Sequence, residues 1–343
     1  MKSPWANTLL LVILILQTVT GYIGFLNNEA QFSLVLWLHG IGAYGIVLLL
    51  FWKATIIYDA MQRKKRWTGQ RLMFLLTTVL LVLTLYLGLA WTLNGRLYFL
   101  NISYVSWHIY TAVPLMLLML WHSYQMRFIF RVPTALDRRL FLRTGLFAGA
   151  GLLAWQFANR TKEAFALEGA KRRFTGSYEW GKTGESFPAV SWIFDNPAPV
   201  DVANWRLQVD GAVANALTYS YQKLQAKATT AQTATLDCTG GWYTVQDWQG
   251  VALGELLAEA GLLEGAASVT ITAVTGYKRR FTLAEANRYL LALQVAGEPL
   301  SHGHGFPLRL VASDKRGVEW VKWISHIRVN TTSKIWQSPL PLQ

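Results

Sequence analysis

The first 130 residues contain four long apolar stretches that are separated by short polar segments. The stretches run over about residues 8–27, 33–58, 72–93 and 105–130. A helix that crosses a membrane needs about 20 consecutive apolar residues. One such stretch also suits a buried helix of a soluble protein, but four in succession with few internal charges predict an α-helical membrane bundle.

From about residue 160 the pattern changes to short alternating runs that are broken by Gly, Pro, Asn and Asp. Residues 205–213, 267–274 and 307–312 alternate as strands do. Residues 251–261 have helical periodicity and end at a glycine, and residues 282–286 have the features of a helix start. The C-terminal half is therefore predicted to be an α+β domain.

The chain has 343 residues and a formal net charge of +13, which by itself would suit a nucleic-acid-binding protein. The excess lies in the apolar half. Residues 1–159 carry 13 Lys and Arg against 3 Asp and Glu, whereas residues 160–343 carry 19 against 16. Because the second half contains no long basic tract, we expect no nucleic-acid partner, and the charge informs the membrane topology instead.

The basic residues are concentrated in alternate connections of the apolar half. Residues 63–66 read Arg-Lys-Lys-Arg, whereas 28–32 contain no Lys or Arg and the third connection contains only Arg96. The region after the fourth stretch contains Arg127, Arg131, Arg138, Arg139 and Arg143. Since basic loops stay in the cytoplasm, we expect a protein of the inner membrane with a cytoplasmic N-terminus.

A fifth, weaker apolar segment follows at about 144–158, directly after Asp137-Arg-Arg-Leu-Phe-Leu-Arg143. The preceding residues resemble the twin-arginine export signal, except that Asp137 stands where Ser or Thr is usual. An ordinary positive-inside cluster is the alternative. In both cases the fifth segment is expected to carry the rest of the chain to the outer, periplasmic side. The predicted domains are 1–132, 133–160 and 161–343.

Three of the six histidines lie in the apolar stretches, at His39, His108 and His122. Ionisable residues in a bilayer are costly and are candidates for function. Histidine is a common axial ligand of haem, and hydrogen bonding within the bundle is the alternative. His39 and His108 are expected at similar depth near the outer side. His122 follows His108 by 14 residues and would lie about 21 Å deeper on the same face.

This depth argument predicts one haem b between His39 and His108, and it alone indicates which histidine pairs with His39. The 14-residue spacing resembles the dihaem cytochromes b, and the spans share their general plan. However, the second stretch has no further histidine to face His122. A second haem, with His122 as a candidate iron ligand, would need a partner other than histidine.

The chain has one cysteine, Cys238, within Leu236-Asp-Cys-Thr-Gly-Gly-Trp242. A lone cysteine forms no intramolecular disulfide and is most often a small buried apolar residue. Four segments change this interpretation, because their order and spacing resemble the sulfite oxidase-type molybdopterin oxidoreductases. The segments are residues 205–211, 236–242 with 248–251, 304–311 and 320–327.

The resemblance implies that Cys238 is the thiolate ligand of a molybdenum that a molybdopterin dithiolene also binds, in keeping with the preference of soft metals for sulfur. It further implies that glycines let the backbone approach the cofactor and that basic residues bind its phosphate. These cofactor-binding residues are Gly240, Gly241, His304, Arg309 and Lys322. The alternative for Arg309 is an ion pair at the surface. The alternative for Lys322 is a strand residue whose aliphatic part is buried while its ammonium group reaches water.

The residues after Cys238 bear on the substrate. Sulfite-oxidising members carry basic residues there, whereas residues 239–246 contain none. In this respect the sequence resembles the bacterial branch that includes periplasmic methionine-sulfoxide reductases. Tyr243 and Asp247 are candidate substrate-facing catalytic residues. Sulfite stays an alternative substrate because other loops contain arginines, namely Arg279, Arg280 and Arg316.

These patterns together predict a membrane-anchored molybdenum oxidoreductase. Haem b would exchange electrons between the quinone pool and the molybdenum site, where an S- or N-oxide is reduced. The first alternative is a dehydrogenase of sulfite or another small substrate that feeds electrons to quinone. The second alternative is a non-catalytic interaction domain on a membrane cytochrome. Expected partners are membrane lipid, quinone or quinol, a small-molecule substrate and an additional electron-transfer subunit.

Overall fold

The computed structural model describes residues 4–62, 68–125, 138–192 and 195–338. Several residues of the topology prediction lie outside the described residues, namely residues 63–66, Arg127, Arg131 and Asp137. The chain divides into two compact units, which comprise residues 1–25 with 29–178 and residues 26–28 with 179–343. The first unit thus continues to Tyr178.

Among its described residues, the first unit contains five long helices. They are α1 (Pro4–Leu26), α2 (Ser33–Gln62), α3 (Gly69–Asn94), α4 (Tyr104–Gln125) and α5 (Arg138–Ala164). A short antiparallel pair, β1 (Tyr98–Phe99) and β2 (Ile102–Ser103), lies between α3 and α4. The first four helices are long and apolar enough to cross a membrane, in agreement with the four predicted spans. By length and composition the chain is therefore a multi-pass membrane protein.

Apolar side chains cover the outside of this bundle as well as its interior. Ile46 and Leu49 are fully buried in its core. Leu34, Phe51 and Leu117, in contrast, are more than half exposed. Large exposed apolar surfaces are rare in soluble proteins, and they suit helices that face lipid.

Helix α5 packs against α2 in the antiparallel direction. The rings of Trp37 and Trp155 have centres 6.2 Å apart. An added Cβ on Gly151 would lie 3.2 Å from the Gly45 Cα. Small residues permit this close approach of two helices. The fifth apolar segment is therefore a helix of the same unit.

The second unit is an α+β domain, as the sequence predicts. The remaining strands are β3 (Tyr178–Glu179), β4 (Leu207–Gly211), β5 (Leu217–Tyr219), β6 (Thr230–Cys238), β7 (Trp242–Ala252), β8 (Ser268–Ala273), β9 (Lys278–Thr282), β10 (Leu290–Val295), β11 (Glu298–Pro299), β12 (Arg309–Val311) and β13 (Ile324–Asn330). The helices are α6 (Tyr221–Lys227), α7 (Leu253–Ala260) and α8 (Leu283–Ala286).

Two sheets enclose the core of this unit. In the first sheet, β7 pairs with β6 and β10, and β10 also pairs with β11 and β12, all antiparallel. The second sheet has the order β5-β4-β13-β8-β9. Only β4 and β13 are parallel there. Trp248, Ile271, Leu291 and Ile327 are completely buried in the core that these strands share.

The predicted local elements agree with the structure, with one shift. Strands β4, β8 and β12 lie within the three alternating segments. Helix α7 begins at Leu253, two residues after the predicted start, because Val251 and Ala252 continue β7. It ends at Gly261, whose φ of +71° favours glycine. Thr282 caps α8 through a capping box with Glu285.

Candidate functional site

Cys238 lies at the turn between β6 and β7, where it pairs with Trp242. The Gly241 amide donates to the Cys238 carbonyl over 3.0 Å, and Gly241 has a φ of +90°, which favours glycine. The Gly240 amide donates to the Cys238 Sγ over 3.3 Å. The two glycines therefore close the turn and direct a backbone donor at the sulfur.

The surroundings of the sulfur suit a bound metal. Burial raises the pKa of the Cys238 thiol, and the Gly240 amide, Arg316 and Lys322 oppose this effect. A buried thiol of this kind keeps its proton in the absence of a further positive charge. A metal that binds the sulfur displaces the proton directly. The geometry therefore fits a metal ligand better than a free nucleophile.

Arg316 supports the turn from the loop before β13. Its Nη2 donates to the Cys238 carbonyl over 2.8 Å, and its Nε lies 3.1 Å from the Asp237 carboxylate. Both charged side chains are buried. Because Asp237 neutralises it, Arg316 positions the cysteine backbone and does not offer a charge to a substrate.

The other two arginines that could bind sulfite are also engaged. Arg279 forms a buried ion pair with Glu319. Arg280 donates to the hydroxyls of Thr270 and Thr332 over 3.2 and 3.1 Å. Both guanidinium groups therefore have partners of their own within the described residues.

Arg309 is a buried arginine without a carboxylate partner among the described residues. It is 3% exposed, and its guanidinium lies over the rings of Trp248 and Trp320 at 5.3 and 5.5 Å. Its Nη1 donates to the His304 carbonyl over 3.0 Å, while its Nε has no hydrogen-bond partner in the described part of the chain. Burial lowers the pKa of Arg309 to about 10, and the charge of Cys238 opposes this.

Lys322 is a second buried cation that has mainly neutral neighbours. Its Nζ donates to the carbonyls of Val190 and Gly303 over 2.9 and 2.6 Å. Burial and repulsion from Arg309 together lower the pKa of Lys322 to about 7, while the charges of Cys238 and Asp195 oppose this. An anion placed beside Arg309 and Lys322 would relieve both effects.

These observations test whether the chain fits the molybdopterin cofactor. A phosphate is recognised by cationic and N–H donors, and Arg309 offers both a charge and an unpaired Nε. Cys238 supplies the sulfur donor, and it lies within electrostatic range of Arg309 and Lys322. The residues present therefore fit a metal-bound pterin that ends in a phosphate.

His304 shapes this site through its backbone. Its Nδ1 lies 3.0 Å from the Ser301 hydroxyl, and its Nε2 lies 3.0 Å from the Phe187 carbonyl. Burial lowers the pKa of His304, and the charge of Arg309 adds to this, so the ring is neutral. The structure thus brings His304 together with Arg309, which the His304 carbonyl binds.

Tyr243 and Asp247 are not brought together with Cys238. Side chains alternate between the two faces of a strand, and Cys238 lies opposite the buried Trp242. Tyr243 and Asp247 therefore point to the other face of the sheet. Asp247 is exposed there, and its carboxylate accepts from the Thr233 hydroxyl over 2.5 Å.

Asp195 is a residue near the site that the sequence analysis missed. It is 5% exposed, and its Oδ1 has no hydrogen-bond partner within the described residues. Burial raises the pKa of Asp195, whereas the Thr275 hydroxyl and the charge of Lys322 oppose this. The stretch Asp195-Asn-Pro resembles an ordinary turn, so no sequence signal distinguishes this carboxylate.

In the first unit the structure brings His39 and His108 together, with ring centres 6.1 Å apart at an angle of 84°. The His39 Nδ1 lies 3.0 Å from the Gln17 carbonyl, and the His108 Nδ1 lies 2.8 Å from the Thr84 carbonyl. Because a carbonyl only accepts, each Nδ1 carries the proton. Each Nε2 therefore keeps a lone pair with which it can bind a metal.

The distance between the rings fits one iron. Imidazole nitrogen binds metals at about 2 Å, so two rings on opposite sides of one metal have centres about 6 Å apart. Glycines leave room behind the rings. An added Cβ would lie 3.0 Å from the His39 Cε1 at Gly21 and 2.9 Å from the His108 Nδ1 at Gly88.

His122 has a different neighbour. It lies within electrostatic range of Lys53, which follows His39 by the same 14 residues that separate His122 from His108. A lysine therefore stands at the helical position from which a second histidine would face His122.

Comparison with known proteins assigns the second unit to a family. Residues 195–336 match the model of the oxidoreductase molybdopterin binding domain. The chain is 32% identical over 146 residues to the oxidoreductase YuiH of Bacillus subtilis, which covers 42% of this chain and 73% of YuiH. The chain therefore belongs to the molybdopterin-binding oxidoreductases, and it contains a molybdopterin-dependent oxidoreductase domain related to that of sulfite oxidase.

Two further relatives differ in the activity that their names state. Mitochondrial sulfite oxidase of Rattus norvegicus is 30% identical over 176 residues, which cover 41% of this chain and 32% of that protein. The catalytic subunit MsrP of the protein-methionine-sulfoxide reductase of Gluconobacter oxydans is 27% identical over 176 residues, 46% of this chain and 54% of MsrP. The chain thus spans about a third of the one protein and about half of the other.

Proposed function

We propose that this protein is a membrane-anchored molybdenum oxidoreductase that reduces an S- or N-oxide on the outer side of the membrane. The observation that carries the proposal is that the half-buried thiol of Cys238 lies within electrostatic range of the buried Arg309 and Lys322, which form no ion pair with a carboxylate in the described part of the chain. When bound, the molybdenum cofactor supplies two-electron transfer of an oxygen atom.

The residues of the chain hold that cofactor and keep water away. Cys238 binds the metal, and the Gly240 amide and Arg316 fix the orientation of the cysteine. Arg309 and Lys322 bind the phosphate, and Trp248 and Trp320 enclose the Arg309 guanidinium. Rigid placement of this kind is what a protein contributes to the chemistry of a bound cofactor.

The substrate is inferred from the segment that follows Cys238 and from the arginines of the other loops. Residues 239–246 contain no Lys or Arg, and Arg279 and Arg316 are held in ion pairs with carboxylates. A neutral oxide suits these surroundings better than the anion sulfite does. MsrP, whose name states reduction of methionine sulfoxide, supports the same direction. Sulfite oxidation, which the name of the rat relative states, is the second candidate.

Electrons would reach the site through one haem b that His39 and His108 bind, with quinol as the donor. The protonated Nδ1 atoms and the ring separation of 6.1 Å support this part of the proposal. The antiparallel packing of α5 on α2 supports a fifth span, which would carry the second unit to the outer side. Arg138 and Arg139 would then act in twin-arginine export of the loaded domain.

The test compares two variants of the full chain, produced in a host that makes the cofactor. Cys238→Ser should lose molybdenum and all activity with methionine sulfoxide while it keeps its haem spectrum. His39→Ala should lose the haem and quinol-linked activity but keep activity with a reduced dye. Full molybdenum content and activity in Cys238→Ser would refute the proposal. Faster turnover with sulfite than with sulfoxides would reverse the direction.

A further inference from the structure

The chain after α5 folds back onto the end of α3 within the first unit. The Trp91 Nε1 donates to the Gly176 carbonyl over 2.8 Å, and the Tyr178 hydroxyl donates to the Trp91 carbonyl over 2.7 Å. An added Cβ on Gly169 would lie 2.1 Å from the Thr92 carbonyl oxygen. Only glycine fits this approach, so the returning segment is fixed tightly against α3.

This segment brings Arg172 to the turn of α3 that follows the contact with His108. The Arg172 Nη1 donates to the Thr92 hydroxyl over 3.2 Å. Thr92 follows Gly88 by one helical turn, which is about 6 Å along the axis of α3. Gly88 is the residue against which the His108 ring packs. Arg172 is therefore bound about one turn away from the His108 imidazole.

Lys162, in the last turn of α5, is a second basic residue at this place. It is 5% exposed and interacts electrostatically with Arg172. Burial lowers the pKa of Arg172, and the phenols of Tyr178 and Tyr44 oppose this. Within the described residues, neither Lys162 nor Arg172 forms an ion pair with a carboxylate. The charge of Glu163 acts on Lys162 without forming an ion pair with it. A buried and a half-buried cation that repel each other favour an anionic ligand.

We propose that Arg172 and Lys162 bind the propionate carboxylates of the haem that His39 and His108 hold. Haem b carries two propionates at one edge, and the two cations offer each of them a charge-assisted donor. Arg172 lies beyond the His108 end of the pair, in the direction in which α3 ends. This inference rests on the proposed function, since it requires a haem at the two histidines.

Through Arg172, the segment that follows α5 would help to set the reduction potential of the haem. A positive charge near the iron favours the reduced state, because reduction adds negative charge to the centre. Burial strengthens this effect, since screening by water is weak there. Loss of either cation should therefore make the haem harder to reduce.

The test measures haem content and midpoint potential of the full chain in detergent. Arg172→Gln and Lys162→Gln should each lower the equilibrium constant for haem reduction about tenfold. This corresponds to a midpoint potential that is about 59 mV lower for a one-electron couple. Arg172→Lys keeps the charge and should stay near the wild-type potential. Lys171→Gln is the matched control, because Lys171 is exposed and pairs with Glu168 at 2.6 Å, and it should change nothing.

The outcomes separate this proposal from the proposed function. Haem at full content with a wild-type potential in both glutamine variants overturns the role of Arg172 and Lys162 and leaves the haem intact. If these variants instead lose co-purified phospholipid, the cations bind a lipid phosphate, and the proposal is wrong. A wild-type protein without haem refutes the proposed electron path itself. Should Arg172→Gln fail to accumulate, Lys162→Gln and Arg172→Lys decide the question.

Discussion

At the scale of residues, surroundings separate basic groups that bind a ligand from those that hold the fold. Arg309 and Lys322 are buried among aromatic rings and neutral acceptors. Arg316 is buried just as deeply, but the carboxylate of Asp237 neutralises it. A buried charge that forms no ion pair is costly, so the first two residues indicate where an anionic ligand belongs.

Lys322 allows a test of this interpretation by pH. Its pKa of about 7 in the folded protein lies below the value of about 10.4 in an unfolded chain. The unfolded state thus binds more protons between these values, and the cofactor-free protein should gain stability as the pH rises from about 7 to 10. The gain should be lost as the pH falls back through 7. Urea unfolding followed by tryptophan fluorescence measures this change.

Lys322→Met supplies the control for that titration. The variant should unfold with no such rise of stability between pH 7 and 10, because the titrating group is gone. It should also retain less molybdopterin than the wild type, since the phosphate loses one cation. Equal pH profiles of the two proteins would show that Lys322 is not the group responsible.

At the scale of elements, short connections carry the site and nearby elements hold them in place. Cys238 ends β6, and the loop before β13 provides Arg316. Glu285 in the first turn of α8 binds this loop through Lys315 at 3.0 Å and the C-terminal segment through Lys334 at 2.9 Å. Helix α8 has only four residues, so it serves as an anchor for these ion pairs.

The stability that Glu285 contributes should depend on pH. Burial by itself raises the pKa of Glu285, but hydrogen bonds from Lys334 and Thr282 and the charge of Lys315 lower it to about 2. The stabilisation is present above the unfolded value of about 4.3 and is lost as the pH falls towards 2. Glu285→Gln should cost about 2 kcal/mol at pH 7 and almost nothing near pH 2.

An exposed glutamate provides the comparison for that measurement. Glu259 pairs with Lys227 at 2.8 Å, and both side chains are more than 40% exposed. Surface pairs contribute little, so Glu259→Gln should change the unfolding free energy by less than about 1 kcal/mol. A similar loss in both variants would contradict the anchoring role of Glu285.

At the scale of the whole molecule, periodicity predicts much of the fold and chain order predicts much of the site. The four spans follow from apolar runs, and the molybdopterin domain follows from the segments around Cys238. The sequence did not indicate which side chains of β7 share a face with Cys238, because this depends on the register that sets Cys238 opposite Trp242. The boundary at Tyr178 depends on its bond to Trp91, which no local pattern indicates.

The central claim is that one chain combines a molybdopterin enzyme with a single-haem membrane bundle. The most direct test is the ratio of molybdenum to iron in the full-length protein, purified in detergent from a host that makes and inserts the cofactor. The account predicts about one molybdenum per iron. Iron without molybdenum would contradict it, since the second unit would then be an interaction domain on a membrane cytochrome.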